Sequence, residues 1–349
     1  MKQSGILFLL LFCLPLLVIG QNKIDRIEPP FWWAGMKNHN LQLLVHGKGI
    51  GEWRPVISHQ GVSLQQIRKV DNPNYIFLDL VIAEDVRPGN IAINFMDGNR
   101  VVESHKYELK RRQWRAGEIK GFDNSDVLYL ITPDRFANGD PSNDSVEGLL
   151  EKVDRSNKGG RHGGDIIGVE EHLPYIKDLG FTAVWLNPLL ENDMESYSYH
   201  GYSTTDFYKV DSRFGTNEDY KRMAMRARSL GIGMIMDMIV NHCGLNHWWM
   251  NDKPSKDWIN EWDSYTQTNH RKSLLQDPYA SKLDKKIFSD GWFVPTMPDL
   301  NQRNPLMATY LIQNGIWWIE YLGLAGIRMD TYPYPDEEYM TEWTRRVME

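Results

Sequence analysis

Arg328 and Asp330 stand two residues apart at the end of an apolar run, Gly326-Ile-Arg-Met-Asp330. A strand repeats every two residues, so both side chains would share one face. A guanidinium beside a carboxylate favours its ionised form, which a nucleophile or an electrostatic stabiliser must hold at neutral pH. A structural ion pair at a strand end is the competing reading. Asp237 closes a second apolar run and leads into Asn241 and His242 through Asp-Met-Ile-Val-Asn-His. Taken alone, His242 could be a satisfied core histidine, the commoner case. The segment His242-Cys-Gly-Leu-Asn-His247 also invites zinc, but no paired Cys/His cluster elsewhere completes a tetrahedral set, so zinc is set aside.

A second group of residues suits a hard cation. Asn138, Asp140, Asn143 and Asp144 place four oxygen-bearing side chains in seven residues, and Gly163-Gly-Asp165 could add a backbone carbonyl and a carboxylate. Ca²⁺ takes six to eight oxygen ligands on loops of this kind. Asn, Asp, Gly, Pro and Ser are also turn formers, so a solvated turn competes with it.

These residues need elements to hold them. After Asp126 three helical stretches, 170–179, 217–230 and 305–322, each end in Leu-Gly and run at once into an apolar segment. Glycine takes the left-handed position that ends a helix and turns the chain back. With Val127–Ile131 the apolar segments give strands starting near 127, 182, 232 and 325. That β-α-β-α order predicts a parallel sheet, and its first strand, Val127–Ile131, reads as buried on both faces. The acids then fall at strand C-terminal ends, where β/α barrels carry their active sites. A polar, Trp-rich stretch over about 243–303 reads as an insertion after the third strand, and a fourth helix begins near Asp336. Its tryptophans, Trp248, Trp249, Trp258, Trp262 and Trp292, could line a cleft or form a core. Trp317-Trp318 is read as packing between helix and sheet. Upstream, residues 21–115 carry short strand-like runs split by Gly, Asn and Pro, as in a β-sandwich.

The 349 residues include 39 Lys+Arg against 46 Asp+Glu, a net charge of −7, which argues against a nucleic-acid binder. Two cysteines rule out a disulfide scaffold. Thirteen Trp and sixteen Tyr hint at flat amphipathic surfaces that stack on sugar or aromatic rings. Residues 1–20, a positive start and an apolar run to Ile19 followed by Gly20, read as a signal peptide too short to span a bilayer. An N-terminal anchor is the alternative. The expectation is an exported protein, periplasmic or extracellular, with no membrane span after signal cleavage.

The motifs in this order resemble the α-amylase family of glycoside hydrolases, near its neopullulanase and cyclomaltodextrinase branch. Gly180-Phe-Thr-Ala-Val-Trp-Leu-Asn-Pro188 is similar to the second-strand motif and Tyr199-His-Gly-Tyr202 to the sugar-stacking loop. Asp237–His242 and Gly326–Asp330 are similar to the third- and fourth-strand motifs, and Met297-Pro-Asp-Leu-Asn301 to the motif closing the inserted domain. Asp299 and Tyr334 depart from the residues usual there, Lys and His.

The resemblance implies an α/β fold, a (β/α)8 TIM barrel of which about the first four β-α units are present over 116–349, preceded by an all-β, immunoglobulin-like sandwich. It implies Asp330 as nucleophile of a retaining mechanism, Arg328 orienting it, and Asp237 supporting Arg328. His200 and His242 would hydrogen-bond the sugar at the cleavage subsite, with Tyr202 as its floor, and the calcium reading gains weight. The family takes its acid–base Glu from a fifth strand and a further Asp from a seventh, and neither strand falls within these residues. The expected substrate is an α-glucan: maltooligosaccharide, pullulan, starch or cyclodextrin. The 349-residue chain itself is expected to be inactive and, with an open sheet edge, poorly soluble or molten. A non-catalytic glucan binder, a decayed pseudoenzyme and a transglycosylase are the other readings, and a homodimer is one option for its assembly.

Overall fold

The computed structural model describes residues 24–115 and 117–349, so the segment 1–20, read above as a signal peptide, lies outside the described residues. The first part is a sandwich of two four-stranded sheets. One has the order β1 (Arg26–Glu28), β3 (Asn40–His46), β6 (Tyr75–Ile82), β5 (Val62–Lys69); the other β2 (Trp32–Ala34), β8 (Arg100–Arg111), β7 (Gly89–Asp97), β4 (Arg54–Ile57). All pairings are antiparallel except β2 with β8. Ile91, Ile93 and Phe95 alternate along β7 and are fully buried, as period-two patterning requires.

The second part is a four-stranded parallel sheet with the order β14 (Gly326–Met329), β13 (Gly233–Met238), β10 (Ala183–Leu186), β9 (Leu128–Ile131). Helices α1 (Ile166–Asp178), α2 (Asn217–Ser229) and α4 (Pro305–Leu322) connect these strands, and α5 (Glu337–Met348) follows. This is half of the eight-stranded barrel. Between β13 and α4 lies the inserted region, three short 3₁₀ segments and α3 (Lys282–Asp290). A small ribbon, β11 (Leu190–Glu191) with β12 (Asp206–Val210), brackets the loop that carries His200 and Tyr202.

Several expectations need correction. The first strand is not buried on both faces: Leu128 and Leu130 keep 43% and 49% of their surface, because β9 pairs only with β10. The first helix starts at Ile166 rather than near 170, since Asp165 accepts a hydrogen bond from the Gly168 N–H and so caps it. Thr216 caps α2, through a reciprocal box with Asp219. Trp249 and Trp258 are fully buried with Tyr310 and His247, so they form the core of the insertion and not a cleft wall. Trp317, also fully buried, meets Phe31 and Trp33 of the sandwich and Tyr208 of β12, and Trp318 donates to the Phe207 carbonyl.

Sandwich and barrel half are joined by buried and half-buried polar groups. The Gln42 N–H donates to Gln313 Oε1 and the Gln313 amide returns a bond to the Gln42 carbonyl, both at 2.7 Å. Arg26 pairs with Asp206 at 2.7 Å, and Tyr310 donates to Glu28 at 2.8 Å. Asp252 of the insertion accepts from the Asn74 amide and hydrogen-bonds the His46 ring, each at 2.9 Å. Each buried donor and acceptor left unmade here would carry its desolvation cost, so these pairs define one docking geometry.

Candidate active site

The parallel register sets Asp237 on β13 directly opposite Arg328 on β14. Asp330 follows one residue past the strand, its N–H still bonded to the Met238 carbonyl at 2.8 Å. One guanidinium nitrogen of Arg328 serves both acids: Nη1 is 2.9 and 3.1 Å from the two Asp237 oxygens and 2.7 Å from Asp330 Oδ1. Asp237 and Asp330 are 1% and 8% exposed, so these are charge-assisted bonds with little water to screen them. Asp237 also accepts from the Trp185 indole at 2.9 Å and from the Tyr202 hydroxyl at 3.0 Å. The Arg328 guanidinium lies 5.1 Å from the Trp185 ring and 5.9 Å from that of Tyr202.

Burial raises the Asp237 carboxyl above its ordinary range, with Arg328 and Trp185 pulling it back in part. Burial acts in the lowering sense on Arg328, but Asp237 and Asp330 outweigh it and its pKa rises. The two partners move the same way for different reasons: the acid is the more deeply buried member, and the guanidinium gathers two carboxylates.

Two histidines sit over this triad. The Tyr202 N–H donates to His200 Nδ1 at 2.9 Å, which leaves the His200 proton on Nε2. Burial, helped by the neighbouring His242, pushes His200 down to about 4, so it is neutral at pH 7. His242 Nε2 lies 3.0 Å from the Tyr202 carbonyl and so carries the hydrogen; its Nδ1 is a buried acceptor without a partner. Burial lowers the His242 pKa as well. All six residues singled out from the sequence, Asp330, Arg328, Asp237, His200, Tyr202 and His242, therefore meet at one end of the sheet.

The sequence reading gave no role to Trp185 or Asn241. Trp185 lies inside the second-strand motif, but its bond to Asp237 requires the β10–β13 register. Asn241 donates to Asp299 Oδ1 at 2.9 Å, and Asn260 donates to Oδ2 at 2.8 Å. Asp299 is fully buried and burial raises its carboxyl well above the ordinary range. It joins the insertion to the end of β13.

The loop with the cation pattern closes between β9 and α1. Asn138 donates through Nδ2 to Asp144 at 2.6 Å, while the Oδ1 atoms of Asn138 and Asn143 are buried without partners. A Cβ at Gly163 would come within 2.4 Å of Asp144 Oδ1, so only glycine lets this carboxylate approach. Asp140 accepts from Ser142, and Asp165 accepts the N–H groups of Gly139, Asp140 and Gly168. Among the described residues no three His, Cys, Asp or Glu side chains form a metal-binding group. The free oxygens here are two amides beside one carboxylate.

The profile of the α-amylase catalytic domain matches residues 130–345, more than half of the chain, and that of the cyclomaltodextrinase N-terminal domain matches 26–113. The chain belongs to the α-amylase family. It is 33% identical to a beta/alpha-amylase of Paenibacillus polymyxa over 62% of this chain and 17% of that protein. It is 32% identical to neopullulanase 2 of Thermoactinomyces vulgaris, over 63% of this chain and 36% of that protein. Among solved structures, an Anoxybacillus α-amylase superposes with a TM-score of 0.54 at 37% identity, covering 64% of this chain and 44% of its own. The α-amylase of Geobacillus thermoleovorans in complex with acarbose gives 0.51 at 34% identity, over 64% and 43%. The chain thus spans less than half the length of each of these relatives. No described helix is long and apolar enough to cross a membrane.

Proposed function

We propose that this α-amylase-family chain carries the nucleophile half of a retaining α-glucan hydrolase site, acting on α-1,4 or α-1,6 glucosidic links. The observation that carries the proposal is the single Arg328 nitrogen shared by Asp237 and Asp330. It aims one Asp330 oxygen and leaves the second free for attack. In the first step that oxygen bonds to the anomeric carbon as the bond to the leaving sugar oxygen breaks. A carboxylic acid must protonate that oxygen, and a water later cleaves the ester with its proton passing back to the same group. Neutral His200 would donate through Nε2 to a sugar hydroxyl, with His242 beside it at the cleavage subsite. Tyr202, held by Asp237, would present its ring to the sugar.

A retaining site needs a second carboxyl about 5 Å from the nucleophile. Asp237 shares Arg328 with Asp330 but is engaged by Arg328, Trp185 and Tyr202. We therefore infer that the 349 residues alone do not turn over an unactivated glucan. The relatives' names, neopullulanase and cyclomaltodextrinase among them, favour pullulan, starch or cyclodextrin as substrate classes. The apolar segment 6–19 after Lys2 supports export.

For the loop after β9, the proposal is a structural Ca²⁺ held by Asn138, Asn143, Asp144 and the Gly163 carbonyl. Asp140 and Asp165 would order the backbone around it. The two partnerless amide oxygens support this donor set. Bound there, the ion would stiffen the loop between β9 and α1 and supply no chemistry to Asp330.

The deciding experiment uses 5-fluoro-α-glucosyl fluoride, whose fluoride leaves without acid help. Mass spectrometry should find one sugar esterified to Asp330, and none in Asp330→Asn. An unlabelled wild-type chain that still binds maltooligosaccharide would replace the enzyme reading with that of a glucan-binding protein.

A further inference from the structure

Residues 271–286 of the insertion carry five cations, Arg271, Lys272, Lys282, Lys285 and Lys286, against two acids, Asp277 and Asp284, in a chain of net charge −7. Elsewhere on the surface such cations find carboxylates, as Lys209 does at Glu191 and Arg222 at Glu170 and Asp219. None of these five makes an ion pair among the described residues. Asp277 accepts from the Tyr279 N–H at 2.8 Å, and Asp284 sits in the first turn of α3. Glu337 lines the same groove as Lys285 and Lys286 but pairs with neither.

The same stretch holds the most exposed large apolar side chains of the insertion: Tyr279 at 94%, Leu283 at 61% and Leu275 at 50%. The 3₁₀ turn Lys272–Leu275 packs against α3, so the two segments form one lobe. On α3, Phe288 and Asp290 are buried. Leu283 and Lys282 stand three and four residues before Lys286 and share its open face. Lys286 lies 4.8 Å from the ring of Trp262, whose indole N–H donates to the Asp290 carbonyl at 3.0 Å. Apolar tips, lysines and an amphipathic indole thus share one exposed surface. Internal packing uses neither the open leucines nor the unpaired charges. A partner that is anionic at its surface and apolar just beneath would use both.

We propose that this lobe docks on an anionic phospholipid membrane, with Tyr279, Leu283 and Leu275 entering the headgroup layer and the lysines meeting lipid phosphates. A lysine stem lies along apolar surface while its ammonium stays with the phosphates, and an indole is suited to the same depth. Each such cation near an anionic leaflet strengthens binding about fivefold. An acidic protein fits less well, because protein interfaces are depleted in lysine and four of the five cations are lysines. A neutral glucan offers the cations nothing to pair with. Phe288 stacks 4.6 Å from Tyr334, which lies four residues past Asp330. The docked chain would therefore meet the membrane beside the acid-bearing end of the sheet. Nothing in this docking depends on the α-glucan reading.

The test is cosedimentation of the 349-residue chain with vesicles of phosphatidylcholine, alone or with about 30% phosphatidylglycerol. Wild type should bind the anionic vesicles at least about tenfold more tightly than the neutral ones, and rising salt should release it. Changing Lys282→Gln, Lys285→Gln and Lys286→Gln together should weaken anionic-vesicle binding about hundredfold. Tyr279→Ser with Leu283→Gln should weaken it about tenfold. Leu130→Ser, on the open sheet edge, should leave it within about twofold, which separates the lobe from general stickiness of the half-barrel. Equal binding to both vesicles, or a triple-lysine variant that binds as wild type does, overturns the proposal. So does a wild-type chain that ignores both vesicles; if immobilised poly-L-glutamate then holds it through the same lysines, the lobe belongs to an acidic protein instead.

Discussion

The two halves of this molecule treat the same kind of apolar strand differently. In the sandwich, Ile91, Ile93 and Phe95 of β7 have neighbours on both edges and a facing sheet, and none is exposed. In the barrel half, Leu128 and Leu130 of β9 are as apolar and stay about half exposed, and all four residues of β14 are only partly buried. Burial belongs to the sheet a strand joins and not to the strand's own residues. The inner pair, β10 and β13, is the part of the barrel half with sandwich-like burial, and it is there that Asp237 sits.

The contrast can be broken experimentally, starting with its strongest claim. Phe95→Ala in the sandwich should cost about 3–5 kcal/mol, because it removes a full ring from a closed core. Urea unfolding followed by tryptophan fluorescence would read this, and a loss under 1 kcal/mol would deny that the sandwich is the better-packed half. On the barrel side, stability should lean on the loop after β9. Calcium at a hundredfold excess over its Kd should add about 2.7 kcal/mol, which chelation would remove; a melting curve indifferent to chelator would refute the metal.

The joint between the halves offers a pH test. Burial, with Asp206 beside it, pushes Glu28 up to about 7, against the pull of Arg26 and Tyr310. The folded state therefore holds its proton more tightly than the unfolded one, so this group's contribution is present below about pH 4.5 and is lost as pH rises towards 7. Glu28→Gln should remove that loss, making the variant more stable than wild type at pH 8 by on the order of 2 kcal/mol and flattening the profile between. Equal slopes in both proteins would contradict it. Smallest of all, Leu130→Ser should change stability by less than about 0.5 kcal/mol. It should instead reduce concentration-dependent association in sedimentation, since open edge strands invite pairing.

Much of the site was legible in the residues. The two-residue spacing of Arg328 and Asp330 and the strand-end position of Asp237 follow from local periodicity, and the structure joins them through one nitrogen. The Leu-Gly helix ends forecast the β-α order for the same local reason. What escaped was long-range. Trp185 meets Asp237 across 52 residues, and Gln42 meets Gln313 across 271. The insertion's tryptophans gave no sign of which would be core, because Trp249 is buried against Phe207 and Tyr310, which lie 42 and 61 residues away in the chain.

By itself, then, the sequence determined what each segment could become: alternating runs for the sandwich, glycine-ended helices for the β-α units, and acids at strand ends. These depend on φ/ψ preference and on repeats of two and 3.6 residues, which act over a few positions. The tertiary structure alone decided which ring donates to Asp237, which carboxyl is lifted by burial, and which apolar strand stays open. Those outcomes depend on register and desolvation, and both are properties of the neighbours that folding brings together.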